Sequence, residues 1–166
     1  AMLTGKRVLL TRADAFMGPT LQEVLRAHGA EVIADTDPLL DPAAPAAIVA
    51  QAGHVDVLLA NLGVPAPVTA ATDIGDDEWR QVFAGMVDPL PRLCRAVLPQ
   101  MIARKAGKIL LMGSASALRG IRRTATYCAA RGAQISYIQA VGVEVAPHQV
   151  QVNAIAQNFV ENPMYF

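Results

Sequence analysis

Apolar residues fall along this chain in short unbroken runs, separated by longer stretches with helical spacing. Arg7-Val-Leu-Leu-Thr11 is the first run and predicts a buried strand. Thr20–Ala27 places Leu21, Val24 and Leu25 on one helical face, and Gly29 suits the C-cap. Glu31–Ala34 predicts a second strand that ends in Asp35 and Asp37. Pro38–Pro45 is rich in turn residues, Ala46–Ala52 predicts a short helix, and Val55–Ala60 a third strand. Glu78–Arg104 reads as one long helix, softened by Gly85, Pro89 and Pro91. Lys108–Met112 is a fourth strand, Thr124–Ala146 a second long helix and Val150–Ile155 a fifth strand.

Continuously apolar strands that alternate with helices predict a parallel sheet covered on both faces. Right-handed crossovers make this a doubly wound, Rossmann-like α/β domain, with residues 1–166 forming a single unit. Ligands of such sheets bind beyond the carboxyl ends of the strands. The residues of interest therefore follow Leu10, Ala60, Met112 and Ile155.

Composition narrows the function classes. The chain has 166 residues, 53% of them hydrophobic, with 14 basic and 14 acidic side chains. A net charge of zero argues against nucleic-acid binding, and no apolar run reaches transmembrane length. Residues Ala1–Lys6 lack the apolar core of a secretory leader, so a cytoplasmic protein is expected. Cys94 and Cys128 fit reduced thiols. His28, His54 and His148 are scattered, read as structural, and leave no metal-ligand spacing.

The first strand is followed by Thr11-Arg-Ala-Asp-Ala-Phe-Met-Gly18. A dinucleotide-binding turn carries glycines here, for a tight turn, for approach to the pyrophosphate and for helix packing. Arg12 and Phe16 stand at the first two positions and only Gly18, the packing glycine, is kept. The turn is either a cofactor site closed and reused, or simply core and surface. Asp35–His54 leaves room for one helix between the second and third strands, not for an additional outer strand. Asp35 and Asp37 can hold a ribose hydroxyl or serve as plain turn residues.

The fourth strand runs into Gly113-Ser-Ala-Ser116, and Tyr127 follows thirteen residues after Ser114. Arg131 lies one helical turn beyond Tyr127, on the same face. A phenol, with a free pKa near 10, needs a fixed cation to act as a base at neutral pH. Arginine supplies that charge permanently, and a serine hydroxyl can anchor the substrate oxygen. Taken singly, these are a cap, a core aromatic and a solvated charge. Together at a strand end they read as base, tuner and anchor.

These residues resemble the short-chain dehydrogenase/reductase (SDR) superfamily and, within it, the halohydrin dehalogenases. Thr11, Phe16 and Gly18 match one dehalogenase pattern and Ser114, Tyr127 and Arg131 the other. Thr11–Gly18 and Val152–Phe159 look closest to the B-type enzymes. The dehydrogenases carry an asparagine for a proton relay where Arg95–Pro99, once aligned, puts Met86, and their Asn-Asn-Ala-Gly segment survives as Ala60-Asn-Leu-Gly63, in which Asn61 and Gly63 read as structural remnants.

The resemblance implies a lyase that needs no cofactor and converts vicinal halohydrins to epoxides and halide, reversibly. Tyr127 is the base, Ser114 the anchor and Arg131 the tuner. Phe16 and the loop Gln157-Asn158-Phe159-Val160 line the halide and substrate pocket. Thr11, Arg12 and Gly18 form the degenerate nucleotide turn. Implied partners are the halohydrin or epoxide, the halide, and further copies of the chain as a dimer or tetramer. The family runs well past Phe166, so a domain lacking its C-terminal part is expected. Two other readings stand beside this one: an NAD(P)-dependent oxidoreductase of the same superfamily, and a catalytically silent binding protein.

Overall fold

A computed structural model describes residues 2–160. The strands are β1 (Arg7–Leu10), β2 (Glu31–Ala34), β3 (Val57–Ala60), β4 (Gly107–Ser114) and β5 (Val150–Gln157). The helices are α1 (Gly18–Ala27), α2 (Ala44–Ala52), α3 (Asp76–Met86), α4 (Pro89–Ala103) and α5 (Ala125–Val145). All strand pairs are parallel, and the order across the sheet is β2-β1-β3-β4-β5. The expected doubly wound, Rossmann-like sheet is therefore present. Its order reverses between β1 and β3, which brings Thr11 and Asn61 side by side just past the strand ends. The span between β2 and β3 holds the one helix expected, α2.

Strand alternation divides the apolar residues between two layers. Leu9, Leu58, Ile109 and Leu111 face the larger core, which Leu90, Leu93 and Val97 of α4 and Ile138, Val141 and Val145 of α5 complete. Val8, Leu10, Leu59 and Met112 face the opposite layer, where α1 contributes Leu21 and Leu25. Burial on both faces is why the strands read as unbroken apolar runs.

The largest differences from the sequence reading lie in the long helix and at the ends of the last two strands. The stretch 78–104 is not one helix: α3 ends at Met86 and α4 begins at Pro89. Proline is poor in a helix interior but suits the first helical position, where an N–H would be unpaired anyway. β4 and β5 also run past their apolar cores, pairing in register from Gly107↔Val150 to Ser114↔Gln157. Gln157 is therefore the last residue of a strand rather than part of a loop. Among the described residues no helix is long and apolar enough to cross a membrane, and no group of three His, Cys, Asp or Glu side chains gathers as a metal site.

Candidate active site

A cavity of about 460 Å³ opens at the carboxyl ends of β1, β3, β4 and β5. Its walls bring together Ser114, Tyr127, Arg131, Phe16, Gln157, Asn158 and Phe159, which the sequence had singled out separately. Thr11, Arg12 and Gly18 do not line it. They shape the turn that carries Phe16.

That turn keeps an unusual backbone. Arg12 and Phe16 have φ of +48° and +51°, the left-handed region. A side chain there costs roughly 1–2 kcal/mol, and the surroundings hold it in place. The Asn61 side-chain amide donates to the carbonyls of Arg12 and Ala15, both at 2.9 Å. The Asn61 backbone N–H donates to Thr11 Oγ1 at 3.0 Å. Asn61 is thus the tie that holds the turn. Gly18 is required by packing, since a Cβ there would sit 2.4 Å from the Ala13 carbonyl oxygen. Gly63 faces the Phe16 ring: a Cβ on it would lie 3.1 Å from Arg131 Nη2 and 3.2 Å from Phe16 Cε2.

Tyr127 and Arg131 project from adjacent turns of α5. Arg131 Nε donates to Tyr127 Oη at 3.0 Å, and the guanidinium carbon lies 5.1 Å from the phenol ring centroid. Arg131 is only 5% exposed, so its charge must be met by bonded neighbours. Nη1 donates to the carbonyls of Leu62 (3.0 Å) and Met112 (2.9 Å) and to Gln134 Oε1 (3.0 Å). Ser114 Oγ accepts from the backbone N–H of Ser116 at 3.2 Å and from its hydroxyl at 2.9 Å. Arg119 donates to Asn158 Oδ1 at 2.6 Å across the mouth, and Phe159 stays 88% exposed at the rim.

Sequence reasoning missed Gln134 and the side of the mouth that faces Asn158 and Phe159. Gln134 is fully buried, accepts from Arg131 and donates to the carbonyls of Met86 (2.6 Å) and Leu62 (3.2 Å). Its place three residues after Arg131 and seven after Tyr127 puts it on their helical face, the one signal available. Ile121 and Thr124, from the segment between β4 and α5, also line the cavity.

The residues present divide over a nicotinamide dinucleotide. Asp35 ends β2, and its Oδ2 is buried without a hydrogen-bond partner, which suits a ribose hydroxyl. Burial raises its carboxyl above the ordinary range. The rest does not fit: side chains occupy both turn positions where glycine lets backbone meet pyrophosphate, and the Phe16 ring stands over Gly63 beside Arg131.

The known proteins that this chain resembles carry two kinds of description. At 28% identity over 185 residues, the chain is similar to the 3-oxoacyl-[acyl-carrier-protein] reductase FabG of Salmonella typhimurium, covering 96% of this chain and 75% of that protein. A solved structure described as a dehalogenation enzyme matches with a TM-score of 0.91 and 31% identity, over 100% of this chain and 77% of that one. NAD+-bound xylitol dehydrogenase shares the fold, with a TM-score of 0.90 at 21% identity over 99% of this chain and 74% of that one. The family profile of the short chain dehydrogenases matches residues 5–165, and so, with this sheet and this Ser-Tyr-Arg cavity, the chain belongs to the short chain dehydrogenase family.

Proposed function

We propose that this protein converts vicinal halohydrins to epoxides with release of halide, without a nicotinamide. The observation that carries the reading is the 3.0 Å bond from Arg131 Nε to Tyr127 Oη, on a cavity wall shared with Ser114 and the Phe16 ring. The bond fixes the phenol oxygen on the cavity wall, beside a permanent positive charge. Tyr127 then removes the substrate hydroxyl proton, and Ser114, whose oxygen is fixed by Ser116, donates to the substrate oxygen. The alkoxide forms a C–O bond to the neighbouring carbon as the C–X bond breaks, and halide departs with the electron pair. The proton passes from Tyr127 to water. Small anions open the epoxide in the reverse direction.

The test is halide release from 1,3-dichloro-2-propanol with no nicotinamide present. The wild type is expected to release chloride, and Tyr127→Phe to be slower by about 10²–10⁴-fold, the usual worth of a positioned base. Absence of release from a folded protein overturns the reading.

A second reading, a nicotinamide-dependent oxidoreductase, has Asp35 Oδ2 and the reductase relatives in its favour. Saturable enhancement of NADH fluorescence, abolished by Asp35→Ala, would favour it.

A further inference from the structure

The charge of the molecule is unevenly spread. Basic and acidic side chains number 14 each over the whole chain, yet from Pro89 to Val143 there is no Asp or Glu, while Arg and Lys recur. Ser114, Tyr127, Arg131 and the segment between β4 and α5 all lie in this stretch. Among the described residues no acidic side chain lines the cavity, and its one charged group is Arg131.

Three further arginines, Arg119, Arg122 and Arg123, stand exposed on the segment that joins β4 to α5. Arg119 reaches across the mouth to Asn158, a lining residue. Arg122 and Arg123 are the central pair of a turn that Thr124 closes on the Ile121 carbonyl, with its N–H at 3.3 Å and its hydroxyl at 3.0 Å. Ile121 and Thr124, the two ends of that turn, line the cavity, so the arginine pair between them is held on its rim. The turn is fastened from behind. Arg123 has φ of +63°, and its carbonyl accepts from the Thr69 N–H at 2.8 Å. Among the described residues none of the three guanidinium groups makes an ion pair. Glu78, the carboxylate that the same network brings to Thr69, already accepts from the Thr69 and Thr126 hydroxyls. Three like charges so close in sequence repel one another, and an anion among them relieves this.

We propose that Arg119, Arg122 and Arg123 form a recognition site on the cavity rim for an anionic group, a carboxylate or a phosphate ester, carried by the substrate at the end remote from the reacting carbons. The arginine fork matches both groups. A cavity of about 460 Å³ falls in the range of pockets that hold molecules well beyond three carbons, so a substrate seated at Tyr127 has room for a tail that runs toward the rim. The clustered charge also draws anions to the mouth over about 8 Å at physiological salt. The identity of the reacting end rests on the proposed dehalogenase reading, which makes the substrate class an anionic halohydrin or epoxide. The preference of the rim for an anion stands apart from that reading.

Binding is therefore read first on ligands without halogen, so that turnover plays no part. 3-Hydroxybutanoate and 3-hydroxybutanamide are close in shape and differ in charge. Each is titrated against the 166-residue protein and the broadening of its proton NMR lines is followed, with glycerol 3-phosphate as the phosphate counterpart. The wild type is expected to favour the anions over the amide by roughly tenfold or more, and the tighter of the two names the group. Arg122→Gln with Arg123→Asn removes two charges, and asparagine tolerates left-handed backbone. This double variant is expected to lose the preference, whereas Arg122→Lys with Arg123→Lys keeps the charges and most of the preference. Circular dichroism melts check folding, and Arg119→Gln stands in for a double variant that does not fold. No preference in the wild type, or a preference within about twofold of it in the folded charge-removing variant, overturns the proposal. Equal loss in the lysine pair would mark a structural turn and overturn it too. Chloride release from 4-chloro-3-hydroxybutanoate and from its amide then separates the two readings. An anion preference with no release from either keeps the rim site and removes the dehalogenase role. Release from both with no anion preference in binding does the reverse.

Discussion

Asp35 ends β2 with one carboxylate oxygen buried and unbonded. Burial raises its carboxyl most, the charges of Asp37 and Asp14 add to this, and the Asp37 N–H and Arg12 oppose it. The unfolded carboxyl titrates near 3.8, below the folded one. Between those two values the folded protein holds more protons, so stability falls as pH rises through the window, and the whole penalty is present at neutral pH. Asp35→Asn is expected to raise Tm at pH 7 by no more than about 2–4 °C, since the group is partly solvated. The gain should vanish below pH 4, as thermal melts across pH would show. That Tyr127 meets Arg131 was legible at this scale, because residues four apart share a helical face, and the end of β4 placed Ser114 beside them. Gln134 was not, because a polar residue on a helix reads as solvated until tertiary packing buries it. Asn61 was legible as structural, but the carbonyls it binds are brought to it only by the sheet.

The elements around the cavity are pinned by a few polar bonds rather than by apolar packing alone. Glu78, in the first turn of α3, accepts from Thr69 Oγ1 at 2.6 Å and from Thr126 Oγ1 at 2.7 Å. Thr69 also donates its backbone N–H to the Arg123 carbonyl at 2.8 Å. One carboxylate therefore fastens the segment after β3 to the segment before α5, beside Tyr127. Glu78→Ala leaves the buried Thr126 hydroxyl unpaired, at a cost of about 1–3 kcal/mol. Hydrogen exchange is expected to quicken over residues 66–72 and 121–127 while β3 and β4 keep their protection; unchanged exchange in both segments would show that the carboxylate fastens nothing. Elements were legible where apolar runs were clean. The break between α3 and α4 was not, because Pro89 looks the same softening a long helix as starting a new one. What separates them is the short turn in which the N–H groups of Val87 and Asp88 both close on the Phe83 carbonyl. The ends of β4 and β5 were also hidden, since Ser114 and Gln157 are polar and become strand by pairing with each other.

For the molecule as a whole, the two-layered core follows from the sequence, because only a sheet buried on both faces explains unbroken apolar strands. The order β2-β1-β3-β4-β5 was not read from the sequence, because apolar runs mark strands without saying which of them pair. Of the cavity mouth, Asn158 and Phe159 were legible, whereas Ile121 was not, since it sits in a stretch without periodicity. Cys94 lies fully buried where α4 meets the sheet, and burial pushes its thiol up to about 12. Iodoacetamide at pH 8 should leave Cys94 unlabelled in the native protein and label it fully in urea, by peptide mass; native labelling would mean this layer opens. The left-handed backbone at Arg12 and Phe16 has a different consequence, one for redesign. Such backbone is where glycine is at ease and side chains are not. Here side chains adopt it, with Asn61 as custodian of the loop. What fills the space over this turn is then side-chain volume, not the course of the chain, and glycine at positions 12 and 16 would empty it without redrawing the loop.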